Sequence, residues 1–545
     1  MAIQYLQQLT STDYANQRFQ VISLVEGVKY PVYLDDKILG YPTIGLGFKI
    51  DLSNIDSILE GMQFDFSLQA PAGESGYIKQ IKGVINKYGT KKLTATQFTQ
   101  YKNDLDAIMA ARATAYGKGR TEFKYLTNAE VKTSYDLIVD VTYEERVSKW
   151  LGENTSTNPT LNTQYTIVPK GYERLALLSL CYNGYIGYDD VTKKPVGSPS
   201  LRKALLVDGN RAEAWYQIRY NTPSSKERLT QISYLADMFN KIKRNFFESE
   251  LLGLYDDPNN VGTDEAKQVY RMLQTHRQDI LTYEALHGPG GSVKDTAGRT
   301  GLEEANYNGA NGAQSLTDSL NTAKTALFTY LQGRNDLPDL ANKLTANNIS
   351  SVNIYLNPHK PADTDRSSVL DSFLYETGQY EDGANDLMIG MDQGDYMLGH
   401  KGDDILIGEG GVDLLDGGED EDVLYGGGGD DYFFGGEGND VMYGGADDDT
   451  YFIEAGEGTD TIEDKEGINK VILCGKEINF FYDTGNGEYK SPDGGQTIIK
   501  STGLVTDVLT GTMVILNDDF QWGDFGATLV MNDLSEMKTE VVYVA

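Results

Sequence analysis

Only two of the 545 residues are cysteine, Cys181 and Cys474, and they stand far apart. Two distant thiols make no disulfide framework, so packing, hydrogen bonds or metal must hold the fold. The four histidines, His276, His287, His359 and His400, are scattered, and His-Glu-x-x-His is absent, which argues against a zinc protease. No phosphate loop and no Gly-x-Ser-x-Gly nucleophile elbow is found. No apolar run reaches about 18 residues, so no membrane span is expected. The first 25 residues lack a basic stretch followed by an apolar one, so no conventional signal peptide is expected. Basic residues almost vanish between 375 and 460, where 25 Asp and Glu face a single Lys401. Residues 1–250, by contrast, carry 30 Lys and Arg against 27 Asp and Glu. The overall charge of -34 therefore belongs largely to one segment. The near-neutral N-terminal half is free to approach an anionic polymer, and no nucleic-acid partner is expected.

That acidic segment is periodic. Asp386, Asp395, Asp404, Asp413, Asp422, Asp431, Asp440 and Asp449 follow one another at nine-residue steps. The frame is Gly-Gly-x-Gly-x-Asp-x-U-x, with U a large apolar residue, and Gly435-Gly436-Glu437-Gly438-Asn439-Asp440-Val441-Met442 is its cleanest copy. The U positions are Met397, Leu406, Leu415, Leu424, Phe433, Met442 and Tyr451. A fixed short period means stacked units that bury each other's apolar faces. Carboxylates at this density need a counter-cation, and calcium takes 6–8 oxygen ligands in flexible geometry. The copies are uneven, and Gln393, Asp420 and Asp447 are among the residues that stand where the frame has glycine. An 11-residue step from Asp449 to Asp460 reads as a terminating variant.

Over about 75 residues this pattern resembles the RTX nonapeptide repeats of secreted bacterial toxins and enzymes. The resemblance implies a parallel β-roll with 18 residues per coil. Asp395, Asp413, Asp431 and Asp449 would line one edge, and Asp404, Asp422 and Asp440 the other. With them, turn residues Gly399, Gly408, Gly417, Gly426, Gly435 and Gly444 would complete the calcium (Ca2+) sites. It also implies export through a type I secretion apparatus that reads an uncleaved C-terminal signal. Carboxylate repulsion would keep the roll unfolded in a low-calcium cytosol, and calcium outside would fold it.

The N-terminal region carries a second constellation. Residues 12–25 read as a helix capped by Thr12 or Asp13 and stopped by Gly27. Glu26 then falls in the last turn, where the helix dipole disfavours negative charge and favours a retained proton. Asp35 is expected in a turn between short strands, where ionisation is easier. Two carboxyl groups in opposite environments suit cleavage of a glycosidic bond.

With Thr43-Ile44-Gly45-Leu46-Gly47, this order resembles the core of the phage-type lysozymes, with a turn two residues longer between Asp35 and Thr43. Segments at 126–147, 174–184, 200–203 and 214–229 extend the resemblance to roughly residues 12–245, with insertions near 65–95 and 153–170. Taken singly, each residue has an ordinary structural role, and the conjunction carries the likeness. It implies a general acid at Glu26, with Asp35 and Thr43 positioning or activating the attacking water. Phe48 stands where that family usually has His. Trp215 and Tyr220 fit either a sugar cleft or, preferably, the core.

The expected architecture is multidomain. It comprises an α+β lysozyme-like domain (1–245), a mostly helical linker or accessory region (246–375), a calcium-binding parallel β-roll (376–462) and a β-rich tail (463–545). The expected function is a secreted muramidase acting on peptidoglycan in the periplasm of target cells, as an antibacterial effector. A type VI route with an immunity protein is a variant. A calcium-stabilised glycan-binding adhesin, or a chitinase-like glycosidase, are the alternatives.

Overall fold

The computed structural model describes residues 8–35, 41–67, 76–88, 92–117, 119–153, 167–221, 235–288, 290–294, 297–300, 316–346, 353–356, 368–371, 385–485, 487–517, 520–525 and 527–530. They fall into two units, one built from 1–259 and 281–314, the other from 260–280 and 315–545.

The first unit opens with α1 (Ser11–Glu26). Its cap is Thr10 rather than Thr12 or Asp13. The Thr10 hydroxyl oxygen accepts from the Asp13 N–H at 3.1 Å, satisfying one of the helix's unpaired donors. Gly27, at φ 71°, ends the helix as expected, and its N–H returns to the Ser23 carbonyl. A small antiparallel sheet follows, of β1 (Lys29–Asp35), β2 (Tyr41–Gly45) and β3 (Phe48–Lys49). Tyr33 pairs with Thr43, and Asp35 with Tyr41.

The rest of this unit is mainly helical. Helix Ile55–Gly61 packs closely on helix Asn128–Val139 because Gly61 lacks a Cβ, which would overlap the Ser134 side chain and the Glu130 carbonyl. Helix Tyr172–Tyr182 is buried along its length from Glu173 to Cys181. A charged residue in such a helix must be paired, and Arg174 is. Its guanidinium reaches Glu144 and Glu153, each at 3.0 Å, and donates to the Val168 carbonyl and the Ser148 hydroxyl. Trp215 and Tyr220 are buried at 2% and 3% exposure, which gives them the core role.

The second unit contains helices Leu316–Gln332 and Leu340–Ala346. Ala323, Leu327 and Leu331, spaced for one helical face, are fully buried. A parallel roll follows. Strands at 386–391, 405–409, 423–428, 441–446 and 459–463 stack in one sheet, and strands at 395–401, 414–419, 432–437, 450–453 and 470–473 in the other. The register between neighbours is 18 residues, as in Ile405↔Val423 and Leu414↔Tyr432, and it lengthens to 20 at Val441↔Thr461. All seven U side chains are 0% exposed between the sheets, each contributing roughly 1.5–3 kcal/mol by burial. Stacking follows the strand spacing: the Phe433 and Tyr451 rings lie 4.8 Å apart.

Two short strands, Asn353–Leu356 and Ser368–Asp371, precede the repeat and pair with its first two strands. Beyond it, strand Met513–Leu516 pairs in parallel with Thr459–Glu463, and an antiparallel meander through 504–507, 496–499, 488–490 and 480–483 widens the same sheet. The expected short strands of the tail are thus present, and their apolar residues Val471, Phe481, Val505 and Val514 join the core of the roll.

Candidate metal centre

Each aspartate of the repeat sits at the start of a strand, just after the turn that joins the two sheets. The chain places it there because Asp and U are two residues apart, so both side chains point inward. Its Oδ1 accepts a hydrogen bond from the backbone N–H of the aspartate one coil earlier. Asp395 N–H donates to Asp413 at 2.6 Å, Asp413 to Asp431 at 2.7 Å and Asp431 to Asp449 at 2.9 Å along one edge. Asp386, Asp404 and Asp422 donate in the same way to Asp404, Asp422 and Asp440 along the other, at 2.7, 2.8 and 2.9 Å. These are the two edges expected from the 18-residue coil.

The second carboxylate oxygen is different. Oδ2 of Asp404, Asp413, Asp422, Asp431, Asp440, Asp449 and Asp460 is buried and has no hydrogen-bond partner. Buried polar atoms without partners are rare and costly. Asp395, at the first coil, departs from the set, since its Oδ2 accepts from the Met391 N–H at 2.9 Å.

The glycines explain what surrounds the orphaned oxygens. A Cβ on Gly399 would collide with Asp404 Oδ2 and the Gly417 carbonyl. Gly408, Gly417 and Gly426 repeat the arrangement one half-coil on each time, against Asp413, Asp422 and Asp431 and the carbonyls of Gly426, Gly435 and Gly444. Gly435 faces Asp440 Oδ2, and Gly444 faces Asp449 Oδ2. The first glycine of each pair is therefore required by close approach. The second position has a left-handed backbone that favours glycine, as at Gly418 with φ 117°, although His400 and Glu409 occupy it in the first coils at φ 78° and 75°.

Carboxylate oxygens and glycine carbonyls form an all-oxygen donor set, which suits a hard cation such as calcium. No group of three His, Cys, Asp or Glu side chains converges among the described residues, and the glycine carbonyls beside each Oδ2 are the further protein oxygens at hand. Calcium held here would supply the positive charge that balances the carboxylates. Without it, burial together with the carboxylates of neighbouring coils pushes Asp404 up to about 10, Asp422 to about 9 and Asp413 to about 8. Burial raises Asp431 and Asp460 to about 7 and Asp440 to about 6.

Two sheets wound from nine-residue half-coils, with an oxygen-lined column along each edge, define a calcium-binding parallel β-roll. Residues 382–415, 389–424 and 416–451 match the RTX calcium-binding nonapeptide repeat family. The match leaves residues 1–381 and 452–545 outside it. No curated protein matches the chain.

The column also recruits residues that the nine-residue frame did not single out as ligands. Asp460 Oδ1 accepts from the Asp440 N–H at 3.1 Å, and Asn469 Oδ1 from the Asp449 N–H at 2.8 Å. Asn469 lies nine residues after Asp460, so a resumed period was the available signal.

The second expected constellation is only partly within the described residues. Glu26 is the last residue of α1, and Asp35 is the last residue of β1 rather than a turn residue. Their side chains, and the turn at 36–40, lie outside the described residues. Thr43 is buried on β2, and its hydroxyl donates to the Tyr33 carbonyl at 3.2 Å across the strand pair. Phe48 is buried at 3% exposure. No helix among the described residues is long and apolar enough to cross a membrane.

Proposed function

We propose that the chain is a secreted bacterial peptidoglycan hydrolase whose C-terminal roll folds when it meets calcium outside the producing cell. The observation that carries the calcium-dependent part is the row of buried Oδ2 atoms without partners. Repeats of this kind imply a type I secretion context, in which an unfolded, calcium-free roll is the form suited to export.

The hydrolytic part rests on the order of Glu26, Asp35 and Thr43 along the chain and on the elements that carry them. Glu26 ends a helix, where the dipole favours the protonated acid. Asp35 and Thr43 belong to the adjoining strand pair. In this reading Glu26 protonates the leaving oxygen of the β-1,4 bond between N-acetylmuramic acid and N-acetylglucosamine. Asp35 and Thr43 orient water for attack. The product acts as an antibacterial effector on the wall of a target cell. Delivery by a type VI route would add an immunity protein in the producer.

The deciding experiment is mass analysis of muropeptides released from purified peptidoglycan by the full chain, with calcium present. Wild type is expected to release fragments with N-acetylmuramic acid at the reducing end, and Glu26→Gln to lose roughly 10²–10⁴-fold in rate. Peptidoglycan binding with no fragments would replace the hydrolase with an adhesin. Cleavage of polymeric N-acetylglucosamine alone would replace it with a chitinase-like enzyme.

A further inference from the structure

The two oxygen columns do not stop where the nine-residue period stops. In the interior turns, the first frame glycine is closed in by the next aspartate and by a glycine carbonyl from the following coil. Gly426, for example, faces Asp431 Oδ2 and the Gly444 carbonyl. At Gly444 the arrangement changes. The strand at 441–446 pairs in parallel with that at 459–463, with Tyr443 opposite Glu463. One residue beyond that register comes Asp464. The atoms that would meet a Cβ on Gly444 are Asp449 Oδ2, Asp464 Oδ2 and the Tyr451 hydroxyl. A side-chain carboxylate thus stands where the interior turns present a glycine carbonyl.

Both carboxylates are out of solvent, Asp449 at 0% and Asp464 at 5% exposure. Asp449 Oδ1 accepts the Asp431 N–H, but its Oδ2 meets no donor, and the Asp449 carboxyl lies within hydrogen-bonding reach of the Asp464 carboxyl. Asp464 Oδ2 accepts from the Tyr451 hydroxyl at 2.6 Å, and its Oδ1 from the Glu466 N–H at 3.2 Å. A phenol hydrogen bond orients Asp464 without neutralising it. Two like charges held together away from water are unfavourable unless a cation joins them. The tail completes the arrangement. The Asp464 N–H donates to Asn517 Oδ1, and Asn517 Nδ2 donates to the Asp464 carbonyl, both at 2.7 Å.

We propose that Asp449 and Asp464 form a terminal calcium site, past the end of the repeat, that clamps the C-terminal strands onto the roll through Asn517. It rests on the calcium reading of the roll. With oxygen donors only, it selects a hard divalent cation. With two carboxylates where an interior turn offers one and a carbonyl, it binds more tightly than the interior sites, since affinity follows ligand charge. The tail is therefore calcium-dependent even though it contains no nonapeptide.

The test is calorimetric calcium titration of the full chain at pH 7.5, with amide exchange of residues 504–517 as a second readout. Wild type, Asp464→Asn and the interior variant Asp413→Asn are compared. Asp464→Asn is expected to bind one ion fewer, from the tightest class, and to lose protection across 504–517 while the coils at 395–437 stay protected. Asp413→Asn is expected to lose an interior ion and keep the tail protected. An unchanged ion count in Asp464→Asn overturns the proposal. Should that variant fail to fold in calcium, Gly444→Ala decides, because it fills the site without altering charge, and an unchanged count there overturns it equally. Wild type that takes up no calcium would bring down the calcium reading of the whole roll. Wild-type uptake with a full count in both variants would bring down the terminal site alone.

Discussion

At the scale of single residues, two kinds of position are intolerant for different reasons. Gly417 is needed because a Cβ would enter the space shared by Asp422 Oδ2 and the Gly435 carbonyl. Gly417→Ala is expected to destabilise the calcium-loaded roll by about 1–3 kcal/mol, as overpacking does. The measurement is a calcium titration followed by circular dichroism, in which the midpoint should move to higher calcium. Arg174 is intolerant because it is the shared partner of two buried carboxylates, Glu144 and Glu153. Removing one side of a buried ion pair leaves an uncompensated charge and costs about 3–5 kcal/mol. Arg174→Ala should lower the melting temperature of the N-terminal unit, leaving the calcium midpoint of the roll unchanged.

At the scale of elements, the roll is a device whose stability depends on which positive charge is available, a proton or a metal. The folded-state values of about 10 for Asp404, 9 for Asp422 and 8 for Asp413 all lie above the ordinary 3.8. The folded, metal-free roll therefore binds more protons than the unfolded chain, and its stability must fall as pH rises from about 4 towards these values. In chelator, strand content measured by circular dichroism is expected to be greater at pH 5 than at pH 8. In calcium the dependence reverses, because protons compete with the ion for the same oxygens, and the calcium midpoint should rise as pH falls. A roll equally folded in chelator at both pH values would contradict this. Helix α1 ends at Gly27 as its sequence implies, but its cap is Thr10, because Ser11 belongs to the helix.

At the scale of the whole molecule, charge and metal demand are confined to one unit. The columns of aspartates all belong to the unit that holds residues 315–545, and residues 1–259 contain none of them. Two units with different ligand requirements do not unfold as a single two-state system. Thermal scans of the full chain should show two transitions. One should rise with calcium concentration as mass action requires, and the other, mainly helical, should be insensitive to it. A single transition that moves as a whole with calcium would contradict the separation.

What was legible in the sequence follows from range. A nine-residue period is local and repeated, so a stack with inward U side chains is legible from the period itself, and the parallel roll with its two edges from the resemblance of that period to the RTX repeats. The face of Ala323, Leu327 and Leu331 shows a period of 3.6 that is equally local. The partners of the unmatched oxygens were not legible. Asp464 has no frame of its own, and its meeting with Asn517, 53 residues away, depends on how the meander returns to the sheet. Along the chain, composition and spacing determined that a calcium-dependent stack exists and where its ligands recur. Tertiary structure alone decided how that stack ends, because closing it takes side chains brought together by long-range strand pairing rather than by any local pattern.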